Sequence, residues 1–177
     1  DSSKGVVRLI KAILLTTLFF EAVGAILSFI VFVQDYPPLK AMEISIFHSI
    51  AAFNNSGFDI LGGLQNLIPY QSDVLLNFVT CGLIIFGGLG FLVILDVLKM
   101  RSFKKLCLHS KAVIVTTLIL LASGTVLIWL TEDITWLGAF FTSVSARTAG
   151  FSTFPLGEFT SAGLLSVSVL MFIGASP

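Results

Sequence analysis

Asn54-Asn55-Ser56-Gly57-Phe58 closes a short apolar segment, Ala41 to Phe53, and Arg147-Thr148-Ala149-Gly150-Phe151 closes a second, Thr135 to Ala146. Each segment has about a dozen residues, whereas a helix needs about 20 to cross a hydrocarbon core about 30 Å thick. Longer apolar stretches flank both. Ala12 to Val33 and Val74 to Leu98 surround the first; Ala112 to Leu130 and a stretch beginning at Ser161 surround the second. Gly57 and Gly150 stand 93 residues apart, and at that offset Phe47 falls on Phe140 and Phe58 on Phe151, with Ser49 reaching Ser143 one place beyond. Span, half-span, Gly-Phe turn and span recur in the same order, a divergent repeat that decides the fold class. The expectation is an all-α, polytopic transmembrane protein of span-loop-span units with re-entrant loops.

Composition agrees. Of 177 residues 11% are charged and 56% hydrophobic, 17 of them Phe, which argues against a water-soluble enzyme or a disordered tail. Ten basic residues balance ten acidic ones, so there is no electrostatic footprint for nucleic acid. Cys81 and Cys107 fit neither a disulfide framework nor a zinc site. No paired His/Glu spacing, nucleophile motif or phosphate loop is present, and the chain does not read as an enzyme.

The units divide as residues 1–98, a linker 99–111, and 112–177. With Asp1 rather than Met at its start, the sequence reads as part of a longer chain. The last span, Ser161 to Ile173, stops short at Gly174-Ala175-Ser176-Pro177 and is therefore cut off or broken there. The first apolar stretch is long and followed by further spans, so it is not a cleavable signal. Lys4, Arg8 and Lys11 precede the first span, and Lys99, Arg101, Lys104, Lys105 and Lys111 fill the linker, so eight of the ten basic residues mark those two segments as cytoplasmic. Both Gly-Phe turns then enter from the outside.

Non-helical backbone at membrane depth is tolerated where protein buries it or where it lines water. A half-helix ending in a glycine turn can present carbonyl oxygens that replace a cation's hydration shell, because glycine adopts φ > 0 without a Cβ clash. A single such turn is equally an ordinary helix cap. Two at matching positions of a repeat favour the ion-binding reading.

Ala51 to Phe58 and Ser145 to Ser152 resemble the second and third filter loops of the Trk/Ktr/HKT potassium transporters. Gly87-Gly88-Leu89-Gly90-Phe91 and the segment Phe103 to Lys111 are most similar to the membrane subunit of bacterial Ktr-type systems. The resemblance covers essentially the whole chain and implies the middle two of four span-loop-span repeats. It implies gated, channel-like permeation of potassium, the substrate, with sodium dependence open and no covalent cofactor. Gly57 and Gly150 match the filter glycines, with Asn54, Asn55, Ser56, Phe58, Thr148, Ala149 and Phe151 beside them, potassium meeting their backbone carbonyls. Gly174, Ala175, Ser176 and Pro177 stand where the family's intramembrane gate begins. Implied partners are the missing repeats of the same polypeptide, a second copy in a homodimer, a cytosolic nucleotide-binding ring of the RCK type, and the lipid bilayer of a bacterial cell membrane.

Other residues admit two readings each. Glu21, mid-span, is functional or paired to a neighbouring helix. Gly87, Gly88 and Gly90 form a close-packing face or a hinge. Asp59 concentrates cations at the outer mouth or caps a turn. Arg147 is expected to brace its loop through carbonyls or an acidic partner, His48 to be a hydrogen-bonded packing residue, and His109 to be solvated. The rival function is a secondary transporter with two re-entrant loops and a midplane site. It predicts inverted repeats, whereas these run the same way.

Overall fold

The computed structural model describes residues 2–63 and 65–174 and is all-helical among them. The first unit runs α1 (Ser2–Phe32), α2 (Pro38–Phe53), α3 (Val74–Leu89) and α4 (Phe91–Met100); the second runs α5 (Leu108–Thr131), α6 (Trp136–Ala146) and α7 (Ser161–Ile173). Two helices, Gly5–Phe32 and Leu108–Thr131, are each long and apolar enough to cross a membrane. The protein is a multi-pass membrane protein.

Local chemistry sets the helix starts. Pro38 occupies the first turn of α2, where its missing N–H costs nothing. Asp73, Thr135 and Thr160 cap α3, α6 and α7 by accepting the amides of Leu76, Gly138 and Gly163.

The expected second span, Val74 to Leu98, requires correction. At Gly90 (φ 83°, ψ 146°) the chain leaves helical geometry and turns by 97° into α4. Apolar composition continues through the break, so only the glycine signals it. The glycine run divides its labour: a Cβ on Gly87 would overlap the carbonyl of Phe53, whereas one on Gly90 would meet nothing within 4 Å. Gly87 is there for close packing and Gly90 for the bend. Asp96 on α4 accepts the Cys107 amide at 3.0 Å, fastening the bent segment beside the start of α5.

The repeat is visible in the packing. In the first unit Gly24 of α1 lets Ser49 of α2 and Leu83 of α3 approach; in the second, Gly124 of α5 does the same for Ser143 of α6 and Leu170 of α7. Both serines donate to a carbonyl of the outer helix, Ser49 to Glu21 at 2.7 Å and Ser143 to Leu121 at 3.2 Å. The units join through α3 against α6, and Phe53, Ile84, Phe141, Val144 and Phe151 belong to one apolar core.

Candidate functional site

Both turns sit deep beside the long helices. Asn54 lies level with Glu21, eleven residues or about 16 Å along α1 from its Phe32 end. Its side-chain amide donates to Glu21 Oε1 at 3.1 Å and to the Ile50 carbonyl at 2.9 Å. Glu21 thus has a structural bond to the first turn.

The two turns are folded by their own backbones. The Ala51 carbonyl accepts the Ser56 amide at 2.9 Å and the Ser56 hydroxyl at 3.0 Å. The Ser145 carbonyl accepts the amides of Thr148, Ala149 and Gly150 at 3.0 to 3.2 Å, and the Ser145 hydroxyl donates to Phe151. Gly57 and Gly150 take φ of 64° and 74°, conformations that side chains disfavour. Asn55 lies in the left-handed region (φ 53°), which Asn tolerates better than most.

With the amides so occupied, the carbonyls are left over. Among the described residues no hydrogen-bond donor reaches the carbonyl oxygens of residues 54–57 or 147–150. A cavity of about 380 Å³ lies against them, lined by Asn55, Ser56, Thr148, Ala149, Gly150 and Phe151 among others. Asn55 and Ser56 of the first turn and Arg147 to Phe151 of the second thus line one recess of mixed polarity, while Asn54 turns to Glu21 and Phe58 is exposed. Among the described residues no group of three or more His, Cys, Asp or Glu could hold a metal ion.

The contact between the turns is head-to-tail. Gly57 faces the Ala149 carbonyl so closely that a Cβ would overlap it, while a Cβ on Gly150 would meet nothing within 4 Å. Phe151 is buried against His48 of the first unit, ring centroids 5.5 Å apart. Its counterpart Phe58 is 61% exposed, its ring tilted toward Phe47 with centroids 6.3 Å apart. Each unit thus shows the surface that the other uses, left open.

Supporting residues hold this recess in place. Thr80 donates to the Leu76 carbonyl at 2.7 Å, so its oxygen accepts from His48 Nε2 at 2.8 Å; His48 is a packing residue, as its sequence context suggested. Asp59 Oδ1 accepts the amides of Leu61, Gly62 and Asn66, each at 3.2 Å, which makes it the organiser of the loop after the first turn. That loop then crosses to the second turn: Asn66 accepts the Ser152 amide at 3.2 Å, and the Leu67 amide donates to the Ser152 carbonyl at 3.0 Å. Outside, Tyr70 donates to Asp35 at 2.8 Å, and burial with that carboxylate beside it pushes the phenol well above its ordinary value. Glu132 accepts both the amide and the hydroxyl of Thr160. No sequence signal marked Asn66 or Glu132; their roles depend on which loops meet.

Arg147 does brace its loop through a carbonyl, donating from Nε to Gly174 at 3.2 Å. Gly174 (φ 66°) is the C-cap of α7. Ala175, Ser176 and Pro177 lie outside the described residues. His109 is exposed in the basic linker.

Comparison with known proteins gives a consistent result. The family model of TrkH, described as cation transport protein, matches residues 2–137 and 131–177. The chain is similar to Ktr system potassium uptake protein B of Vibrio alginolyticus, 41% identical over 95% of this chain and 40% of that protein. It is 34% identical to the protein of the same name from Bacillus subtilis, over 97% of this chain and 41% of the relative. It is 35% identical to the potassium/sodium uptake protein NtpJ of Enterococcus hirae, over 99% and 41% respectively. The chain spans about two-fifths of the length of these curated relatives.

Proposed function

The chain belongs to the TrkH family of cation transport proteins, and from that premise we propose that it forms half of a potassium filter. The single observation that carries the reading is the head-to-tail contact of two glycine turns with free carbonyls. A heterologous contact repeated by the same rotation closes into a ring, and here each end of the pair presents an unused half of it at Phe58 and Gly150. Two further units, from the same polypeptide or a partner chain, would complete four turns around one axis. A dehydrated potassium ion there exchanges water for several carbonyl oxygens at once. The relatives' length leaves room for such units.

Permeation in this reading is passive and gated. The turns of residues 54–58 and 147–151 select, and the segment from Gly174 onward, with Ala175, Ser176 and Pro177, gates beneath them. Association as a homodimer and contact of the basic linker 99–111 with a cytosolic nucleotide-binding ring of the RCK type follow as further proposals; the exposed Lys104 and Lys105 make the linker the surface to test. Sodium dependence belongs to the same set, since one relative is named a potassium/sodium uptake protein. The parallel order of the repeats favours this pore over a two-loop carrier.

The test is potassium flux by the whole protein in cells lacking their own potassium uptake. Growth at low external potassium together with downhill potassium flux in vesicles supports the pore. Flux only against a coupled gradient of another solute supports the carrier.

A further inference from the structure

Each turn is bonded by one side chain to the backbone near the end of an inner helix, and in the first unit that end is the Gly90 break. The Asn55 amide, oriented with its nitrogen toward the acceptors, donates to the Ala52 and Ile84 carbonyls at 3.2 Å and accepts the Gly88 amide at 3.3 Å. Ile84 and Gly88 are partners four apart in α3, so the side chain engages the helix ladder in its last turn, just before Gly90. Side chains inserted into that ladder are a recognised cause of helix breaks. In the second unit Arg147 Nε donates to the Gly174 carbonyl at the end of α7. Arg147 also lines a small cavity with Ile84, Gly88 and Leu89, close to the Gly90 break.

The left-handed backbone of Asn55 (φ 53°) directs its amide to α3, and in the second unit the Gly174 carbonyl at the end of α7, with the partial negative charge of a helix C-terminus, stabilises the guanidinium of Arg147.

We propose that Asn55 is a positioning residue that couples the first turn to the Gly90 break of its inner helix, so that a change at that break alters selection at the turns. The proposal rests on the reading of those turns as the potassium filter. Beyond α4, which Asp96 fastens to the start of α5, lies the basic linker, so the Gly90 break stands between the cytoplasmic surface and the first turn.

The experiment is a double-mutant cycle in the whole protein, reading the potassium-to-sodium uptake ratio per amount of folded protein in the membrane. Gly90→Ala disturbs the break through its φ of 83° alone, because its Cβ has open space. Asn55→Gly removes the three bonds and accepts the left-handed conformation without strain. Each single change should shift the ratio by about threefold or more, and the double variant should show little beyond the larger single effect, as residues sharing one interaction do. Additive effects of Gly90→Ala and Asn55→Gly, or an unaltered ratio in Gly90→Ala, overturn the coupling. Gly57→Ser run alongside separates the two failures: an unaltered ratio there removes the filter reading itself, whereas a shifted ratio with additive break effects removes only the coupling.

Discussion

Replacing Glu132 should loosen the inner helix of the second unit at its outer end. Its Oε1 accepts the Thr160 amide at 3.0 Å and the Thr160 hydroxyl at 2.7 Å, and the residue is only 9% exposed. Gly163 permits the approach, since a Cβ there would overlap the carboxylate. Glu132→Ala leaves two part-buried donors without their acceptor, at about 1–3 kcal/mol, and removes an anion from the N-terminus of α7, about another 0.5–1 kcal/mol. The expected loss is about 2–4 kcal/mol, against about 1 kcal/mol for Glu132→Gln, which keeps a carbonyl acceptor. Denaturation of the detergent-solubilised whole protein measures it. Pairing Glu132→Ala with Thr160→Val should cost less than the two losses added, because both changes remove the same hydroxyl bond. Parent-like stability of Glu132→Ala, or full additivity with Thr160→Val, refutes this account of how α7 is anchored.

Gly87→Ala should cost about 1–3 kcal/mol by forcing α3 off the Phe53 carbonyl, while Gly82→Ala, whose Cβ meets nothing within 4 Å, should change stability by no more than about 0.5 kcal/mol; the same denaturation assay compares them. Asp59→Asn keeps an oxygen for the three amides it accepts, so half-saturation for potassium uptake should match the parent; a rise at equal stability would mean that the charge, and not the loop, is what the site needs. Cys107, exposed in the linker, should react with a membrane-impermeant thiol reagent only from the cytoplasmic side in a Cys81→Ser background, and labelling of intact cells would contradict the topology.

The architecture was legible where periodicity and length carry it. Ser161 to Ile173 is a helix over those same residues, and the half-spans end at Phe53 and Ala146 as their glycine turns require. Between the two readings of the glycine run, a close-packing face or a hinge, sequence alone could not choose. Close packing and chain reversal both select glycine, and only tertiary context shows that Gly87 serves the first and Gly90 the second. The same holds at the turns. That Gly57 and Gly150 needed φ > 0 could be read from sequence, but that Gly57 abuts Ala149 depends on how α3 packs on α6. Arg147 was readable as a brace because a cation beside a cation path must be engaged elsewhere; its partner is a backbone carbonyl, which no residue name reveals.

The central claim is that the two glycine turns select potassium, and the most direct measurement is the potassium-to-sodium uptake ratio of Gly57→Ser and Gly150→Ser, normalised to folded protein in the membrane. A serine at Gly57 meets both a φ of 64° and the Ala149 carbonyl; at Gly150 it meets a φ of 74° and, in a closed ring, the next unit. The account predicts that both variants fold, still pass cations and lose discrimination against sodium. An ordinary cap glycine would cost about 1 kcal/mol in stability and leave the ratio alone. Parent-like ratios in both variants, with uptake persisting, would contradict the account.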